Sequence, residues 1–238
     1  MSHALRNLAV TRPEAPCGLV AIPLRTPLVQ SRDDLCEIVA RAICGIARPG
    51  DVVAISETAV AIAQGEFVAA EYVRPSKLAF AISRRADPMA TISQPESVQL
   101  VIDRAGWWRV LFATVLQFFG RIAGRRGVFY EIMGEAVAAF DGYTGTMPPY
   151  ERVIVFAPRD PDRFAESIFV RTGIACAVVD ANDLGKAKVL GRSAGVCDEC
   201  VEAALLDNPH GNSDEQTPIV ILKWRGSARN PLVCTEAL

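Results

Sequence analysis

The stretch Ile174–Gly191, IACAVVDANDLGKAKVLG, decides the fold. Its first six residues, Ile174–Val179, are apolar and rich in β-branched side chains, which is typical of a buried strand. The apolar run stops at a polar group with two lysines behind it: Asp180, Asn182, Asp183, Gly185, Lys186 and Lys188. Because a strand is rigid and the loop beyond it is open to ligand, this pattern predicts a site for metal and phosphate. A solvated turn is the alternative, since Asp, Asn and Gly are also common turn formers.

The composition predicts a folded, globular protein. Of the 238 residues, 50% are hydrophobic and 22% are charged, and the net charge is −2. This balance does not favour nucleic acid or an anionic membrane as the main partner. Nothing in the sequence resembles a signal peptide, and no run reaches the roughly 18 apolar residues of a spanning helix. We therefore expect a cytoplasmic location without stable membrane insertion, and reduced rather than disulfide-bonded cysteines.

The two histidines limit the possible chemistry. His3 lies in a predicted N-terminal tail, residues 1–16, so a His-rich zinc site is excluded and any nucleophile activated by histidine requires His210. Metal and acid–base chemistry then depends on Asp and Glu. The pair Cys197 and Cys200 lacks the second pair of ligands that a structural zinc needs, and we interpret it as two positions on a helix face.

The remaining patterns predict a mixed α/β domain over residues 17–238, with a mixed sheet and flanking helices. Ser31 is the expected N-cap of a helix whose apolar face runs from Leu35 to Ile43. A strand over 152–157, a helix over about 161–171 and the strand at Ile174–Val179 are expected to form a parallel, right-handed unit. Further strands are predicted at Leu19–Leu28 with its turn, at Val52–Ser56 and at Ile219–Trp224, and a further helix at Gln94–Arg104.

The segment Gly106–Gly127, GWWRVLFATVLQFFGRIAGRRG, is aromatic, apolar and basic. We expect a helix followed by a basic loop, with Trp107–Phe119 at the interface of a homodimer, since so large an apolar surface is rarely left exposed. An interfacial helix at a membrane surface is the alternative. The basic loop can also receive an anionic ligand.

Taken in order, several segments resemble the family of coenzyme F420:L-glutamate ligases, which add glutamate to the deazaflavin precursor F420-0. The segment ARPGDVVAISETAVAIAQG, residues 47–65, is similar to the family's strand and small-residue segment. Ala136–Asp141 loosely matches a middle motif, and Ala157–Asp162, APRDPD, closely matches a strand–helix junction. Ala181–Lys186 aligns with a strand that ends S-D-T-F-G-R in the family. The resemblance covers about residues 17–195, and the order of the motifs carries it.

The sequence also departs from the family pattern. A family lysine appears here as Thr58, a family glutamate as Gln64, and the S-D-T triplet as Ala181-Asn182-Asp183. The C-terminal part is shorter than in long members, although Asp207–Gly211 and Glu215–Pro218 are similar to parts of it. The departures indicate a divergent branch, in which the reaction class is better supported than the substrate.

The resemblance implies an amide ligase that joins L-glutamate to F420-0 or a related acid, with GTP or ATP activating the acid as an acyl phosphate. It also implies that the homodimer is intertwined. It implies Mn²⁺ or Mg²⁺ bound by Asp141, Asn182 and Asp183, with Asp183 and Lys186 as catalytic candidates. The expected nucleotide contacts are Ser56, Glu57, Thr58, Gln64, Gly65 and Lys188. The expected contacts to substrate carboxylates are Arg121, Arg125 and Arg126. The alternative is a protein of the same fold that binds an anionic small molecule without ligating it.

Overall fold

The structure, a computed structural model, describes residues 18–86, 91–122, 124–125, 127–134, 137, 140–141, 149–182, 185–211, 215–226 and 230–233. The predicted tail lies outside these residues, and so do Asp183 and Arg126. For Asp141 the strand is described and the side chain is not.

Two sheets organise the described chain. The larger sheet has the order β1-β8-β2-β6-β7, and only β2 and β6 run parallel to each other. The smaller sheet has the order β3-β5-β4 and is antiparallel. The prediction of a mixed sheet with flanking helices is therefore confirmed. The strands are β1 (Leu19–Leu24), β2 (Val52–Ser56), β3 (Phe67–Ala69), β4 (Phe140–Asp141), β5 (Val153–Phe156), β6 (Ala175–Asn182), β7 (Lys186–Arg192) and β8 (Ile219–Trp224).

Helices cover both sheets. They are α1 (Leu35–Ile43), α2 (Glu57–Gln64), α3 (Lys77–Ser83), α4 (Pro95–Ala105), α5 (Trp107–Ile122), α6 (Val128–Met133), α7 (Pro161–Thr172) and α8 (Asp198–Ala204), with short 3-10 turns at Ala70–Tyr72 and Thr91–Ser93. The helices α1, α2 and α7 lie on one face of the five-stranded sheet, and α8 lies on the other. The alternation along β2 explains why both faces are apolar, because Val53 and Ile55 face the first group while Val52 and Ala54 face the second.

A separate core lies over the three-stranded sheet. Ile154 of β5 is fully buried there among side chains of α3, α4, α5 and α6. Helix α5 contributes only Val110 and Ala113 to this core, and it packs on α4 and α6. Helix α5 therefore contacts the core along a narrow strip of its surface.

The predicted strand–helix–strand unit is wrong in its pairing. The strand β5 belongs to the small sheet, whereas β6 belongs to the large one, so α7 connects two sheets rather than two parallel neighbours. The parallel partner of β6 is β2, with Val52 opposite Ala175. The four-residue strand β5 is instead paired on both sides by β3 and β4. Local sequence marks a strand, but it does not specify the partner.

Two element boundaries also differ from the predictions. The cap of α1 is Asp34 rather than Ser31, since the Asp34 carboxylate accepts a 3.0 Å hydrogen bond from the Glu37 amide. Ser31 precedes a turn in which Arg32 has a φ of 71°. Strand β6 continues past Val179 to Asn182, because it pairs with β7 there.

The cysteine pair flanks the start of α8. Cys197 is the N-cap residue and Cys200 lies within the helix, and both side chains are half-buried. The prediction of two helix-face positions therefore holds for Cys200 alone.

Among the described residues, no helix is both long enough and apolar enough to cross a bilayer. The homodimer and the cytoplasmic location stay predictions.

Candidate functional site

The candidate site lies where the two parallel strands end. Ser56, the last residue of β2, is paired with Val179, so both strands reach the same edge of the sheet. The chain of β2 leaves the sheet there and begins α2 at Glu57, with Thr58 next. Strand β6 continues for three more residues. Carboxyl ends of parallel strands are where α/β sheets commonly bind ligand.

A polar hairpin face extends beyond this edge. Asp180 is paired with Lys188 and Asn182 with Lys186, so these four residues share one face of the β6–β7 hairpin. The alternating residues Ala181 and Ala187 lie on the opposite face, against the core that α8 covers. The four polar residues therefore lie on the side of the sheet that carries α1, α2 and α7.

The charges on this face differ in their exposure. Both lysines are exposed, whereas Asp180 is half-buried. Burial raises the pKa of the Asp180 carboxyl, and the nearby Lys188 ammonium opposes that rise. Functional sites often contain a carboxyl group whose charged form is disfavoured by burial and which lies beside cations.

The first turn of α7 holds the hairpin in place. Gly191 of β7 is buried directly beneath Pro161 and Asp162, so close that a side chain would overlap their backbone atoms. The Asp162 carboxylate accepts a 2.9 Å hydrogen bond from the Arg192 amide. The APRDPD segment singled out in the sequence thus positions β7.

The structure places Gln64 and Gly65 at the other end of α2 from Ser56 and Glu57. Eight helical residues span about 12 Å. The Gln64 amide donates to the Arg159 carbonyl at 3.0 Å and accepts from the Arg159 amide nitrogen at 2.7 Å. Gly65 ends the helix with a φ of 74°, a conformation that favours glycine. Both residues have structural contacts, and their predicted role in nucleotide binding stays a prediction.

The predicted metal ligands come from different sheets. Asn182 ends β6 in the large sheet, whereas Asp141 lies in β4 of the small one, opposite Val155. Among the described residues, no three Asp, Glu, His or Cys side chains are close enough together to hold a metal ion. Since Asp183 and the Asp141 side chain lie outside the described residues, the predicted metal site stays a prediction.

The predicted substrate arginines follow the aromatic helix. Arg121 is exposed in the last turn of α5, and Arg125 is exposed beyond it, where its guanidinium forms a 3.2 Å ion pair with Glu131. Helix α5 packs on α4 and α6, over the small sheet. The described part of the chain gives no contact that brings either arginine to Ser56 or Asp180.

His210 was not among the predicted site residues. Its ring is buried and its Nδ1 donates to the Thr217 carbonyl at 3.0 Å, while the Thr217 hydroxyl donates to the His210 carbonyl at 2.5 Å. Burial lowers the pKa of the imidazole, and the hydrogen bond to Thr217 opposes this. Pro218 follows Thr217, and its carbonyl accepts a 2.9 Å hydrogen bond from the Ser56 amide. His210 therefore braces the chain beside the end of β2. The signal for this contact was the similarity of residues 207–211 and 215–218 to the family.

Comparison with known proteins agrees with this architecture. A family model described as F420-0:gamma-glutamyl ligase matches residues 23–179, which is about two thirds of the chain and includes the end of β2, the first turn of α7 and most of β6. A search of curated proteins finds no match. The chain belongs to the F420-0:gamma-glutamyl ligase family.

Proposed function

We propose that this member of the F420-0:gamma-glutamyl ligase family joins L-glutamate to an acidic small molecule, F420-0 or a related acid, with hydrolysis of GTP or ATP. A ligase-type function follows from the family. The observation that supports its location is the polar face of the β6–β7 hairpin, where Lys186 and Lys188 lie opposite Asn182 and Asp180.

The chemistry needs groups of this kind. A carboxylate reacts with an amine only after activation, and attack of the carboxylate oxygen on the γ-phosphorus gives an acyl phosphate and the nucleoside diphosphate. The glutamate amine then displaces phosphate, which carries away one carboxylate oxygen and leaves the amide. Lys186 and Lys188 supply positive charge for the phosphoryl oxygens. No histidine has to act as a nucleophile.

The donors on the hairpin suit a hard divalent cation. The Asn182 amide offers an oxygen atom, which Mg²⁺ and Mn²⁺ prefer, and the Asp180 carboxylate lies on the same face of the hairpin. Asn182, Asp183 and Asp141 would hold such an ion, which when bound would neutralise phosphoryl charge, and Asp180 would support them without binding the ion. We expect Asp183→Asn to weaken Mn²⁺ binding in calorimetry without changing the melting temperature. Equal metal affinity in both proteins would contradict the assignment.

A second candidate is a non-catalytic binder of a phosphorylated or anionic molecule. The observation that favours it is Gln64, which replaces a family glutamate. Both the nitrogen and the oxygen of its side-chain amide form hydrogen bonds to the Arg159 backbone. This side chain holds the Arg159 backbone, and it offers no carboxylate to a ligand. Thr58, in place of a family lysine, removes a cation from the first turn of α2.

The two candidates are distinguished by turnover. The protein is incubated with F420-0, L-glutamate, Mn²⁺ and either GTP or ATP, and the product is followed by mass spectrometry together with released phosphate. A ligase forms the glutamyl amide and phosphate in equal amounts, and each depends on all components. A binder is stabilised in thermal denaturation by nucleotide with Mn²⁺ but releases no phosphate.

Matched lysine variants test the location of the site. The chain has four lysines, and Lys77 is an exposed residue in the first turn of α3, far along the chain from the hairpin. We expect Lys186→Ala with Lys188→Ala to lower kcat/KM by at least a hundredfold, the size of effect typical for loss of charge stabilisation at a transferred phosphoryl group. Lys77→Ala should leave it unchanged. Equal activity of both variants would place the site elsewhere.

A further inference from the structure

Helix α5 carries a continuous apolar surface that the described chain leaves uncovered. Eight of its side chains, all apolar, are between 40 and 71% exposed: Trp107, Trp108, Leu111, Phe112, Val115, Phe118, Phe119 and Ile122. We name these eight residues the α5 face. At about 100° per residue they fall within an arc of about 140°, and no polar residue interrupts it.

Arginines lie on both borders of this face. Viewed along the helix axis, Arg109 lies about 60° beyond Phe112 at one border of the face. Arg121 lies about 40° before Trp107 at the other border. Both guanidinium groups are exposed. The Arg109 guanidinium donates to the Ile132 carbonyl at 3.3 Å, which keeps the cation beside α6 at the edge of the face.

The charge around α5 differs in sign from that of the rest of the protein. From residue 104 to residue 130 the sequence contains five arginines and no acidic residue, a charge of +5. Since the whole chain has a net charge of −2, the remainder carries −2 − 5, or −7. The acidic residues that border the segment already have partners, Asp103 with Gln99 at 2.7 Å and Glu131 with Arg125 at 3.2 Å.

We propose that the α5 face binds the surface of a bilayer that contains anionic phospholipid. An apolar arc with tryptophan and phenylalanine, bordered by cations on both sides, matches the boundary between acyl chains and phosphate headgroups. The aromatic side chains enter the acyl boundary and the arginines bind headgroup phosphates. The helix has 16 residues and is about 24 Å long, shorter than a bilayer core of about 30 Å. Val110 and Ala113 remain in the protein core, so α5 lies on the surface with its opposite edge attached to α4 and α6.

Charge favours a lipid surface over a second copy of the chain. In a two-fold dimer formed through the α5 face, each copy would bring the same arginines to the rim. The segment offers no acidic residue to pair with them, so like charges would approach each other. An anionic bilayer supplies the complementary charge.

The test uses the full chain and vesicles of defined composition. We expect the protein to sediment with vesicles of phosphatidylcholine that contain one third phosphatidylglycerol at least tenfold more strongly than with phosphatidylcholine alone, and less strongly as salt is added. Two of the three tryptophans lie on the α5 face, so binding should shift the tryptophan emission to shorter wavelength. Equal partitioning into the two vesicle types, or none into either, would overturn the proposal.

Two pairs of variants separate the apolar and charged contributions. Phe112→Gln with Phe119→Gln should abolish sedimentation, whereas Tyr72→Gln with Val170→Gln, which remove exposed apolar residues elsewhere, should not. The variants Arg109→Gln and Arg121→Gln together should weaken binding about 25-fold, since each arginine near the surface contributes about fivefold. Arg74→Gln with Arg163→Gln makes the same change in net charge and should have little effect.

The same variants test the competing occupant. All substituted side chains are exposed, so melting temperatures close to that of the wild type confirm that each variant folds. Ultracentrifugation at micromolar concentration should find the same oligomeric state with and without the phenylalanine substitutions. A wild-type dimer that dissociates when Phe112 and Phe119 are replaced would overturn the proposal and assign the α5 face to a second copy.

Discussion

The close approach of α7 to β7 gives a prediction whose size can be worked out from the structure. Gly191 lies beneath the first turn of α7, where an added Cβ would be 2.7 Å from the Cβ of Pro161 and closer still to the Pro161 carbonyl carbon and the Asp162 amide nitrogen. Carbon atoms in contact are normally about 3.5–4.0 Å apart, so Gly191→Ala requires α7 or β7 to move by about 1 Å. The obstructing atoms are mainly backbone, which cannot rotate away.

Overpacking of this kind costs about 1–3 kcal/mol, and we expect the upper end of that range. A chain of this length loses about 2–4 °C in melting temperature for each kcal/mol, so Gly191→Ala should melt about 6–12 °C below the wild type. Thermal denaturation followed by circular dichroism measures the difference. The displacement should also lengthen the bond between the Asp162 carboxylate and the Arg192 amide, and so shift the hairpin that carries Lys186 and Lys188.

Gly45→Ala is the matched control. Gly45 has a φ of 73° and no atom near the position of an added Cβ, so it tests backbone strain without a steric clash. Strain of that kind costs about 1–2 kcal/mol. If Gly191→Ala melts as high as Gly45→Ala or higher, the close packing of α7 on β7 is refuted.

Two further predictions concern ionisation. Since burial lowers the pKa of His210, the unfolded chain binds a proton below about pH 6.5 that the folded chain does not, and stability falls as the pH falls. His210→Gln should therefore remove up to about 1.4 kcal/mol of the loss measured by urea denaturation between pH 7.5 and 5.5, and an unchanged pH dependence would contradict the buried neutral imidazole. Because burial raises the pKa of Asp180, the charged carboxylate destabilises the fold at pH 7, and Asp180→Asn should raise the melting temperature while lowering ligase activity. Asp51→Asn should instead lower the melting temperature, since the Asp51 carboxylate forms a 2.9 Å ion pair with Lys223. A lower melting temperature for both variants would show that the charged Asp180 carboxylate does not destabilise the fold.

Local patterns in the sequence predicted most of the elements. The strand at Ile219–Trp224 has the observed bounds, and the helices at 95–105 and 161–172 begin and end within a residue of the predicted positions. These segments have clear periodicity and strong caps or breakers, so tertiary contacts change them little. The family resemblance rested on the order of such segments and was confirmed by the family match.

What the sequence could not predict depends on long-range contacts. Nothing in residues 153–156 shows that the strand belongs to the small sheet, because pairing partners come from residues far along the chain. The polar residues Asp180–Asn182 predict that the strand ends at Val179, because polar residues beyond a sheet core resemble a turn, whereas the structure continues the strand into a hairpin. Similarly, the sequence predicts that Ser56 and Gln64 both contact the nucleotide, whereas the length of α2 separates them. The α5 face is exposed because Val110 and Ala113, the buried side chains of α5, lie on the opposite side of the helix.

In the proposed reaction, the protein activates a carboxylate by phosphorylation before it forms the amide. The most direct measurement uses an acidic substrate whose carboxylate is labelled with oxygen-18, together with unlabelled nucleotide, L-glutamate and Mn²⁺. Mass spectrometry should find one labelled oxygen in the released phosphate for each amide formed, and the Lys186→Ala, Lys188→Ala protein should form both products at least a hundredfold more slowly. Amide formation with phosphate that carries no label would exclude an acyl phosphate intermediate.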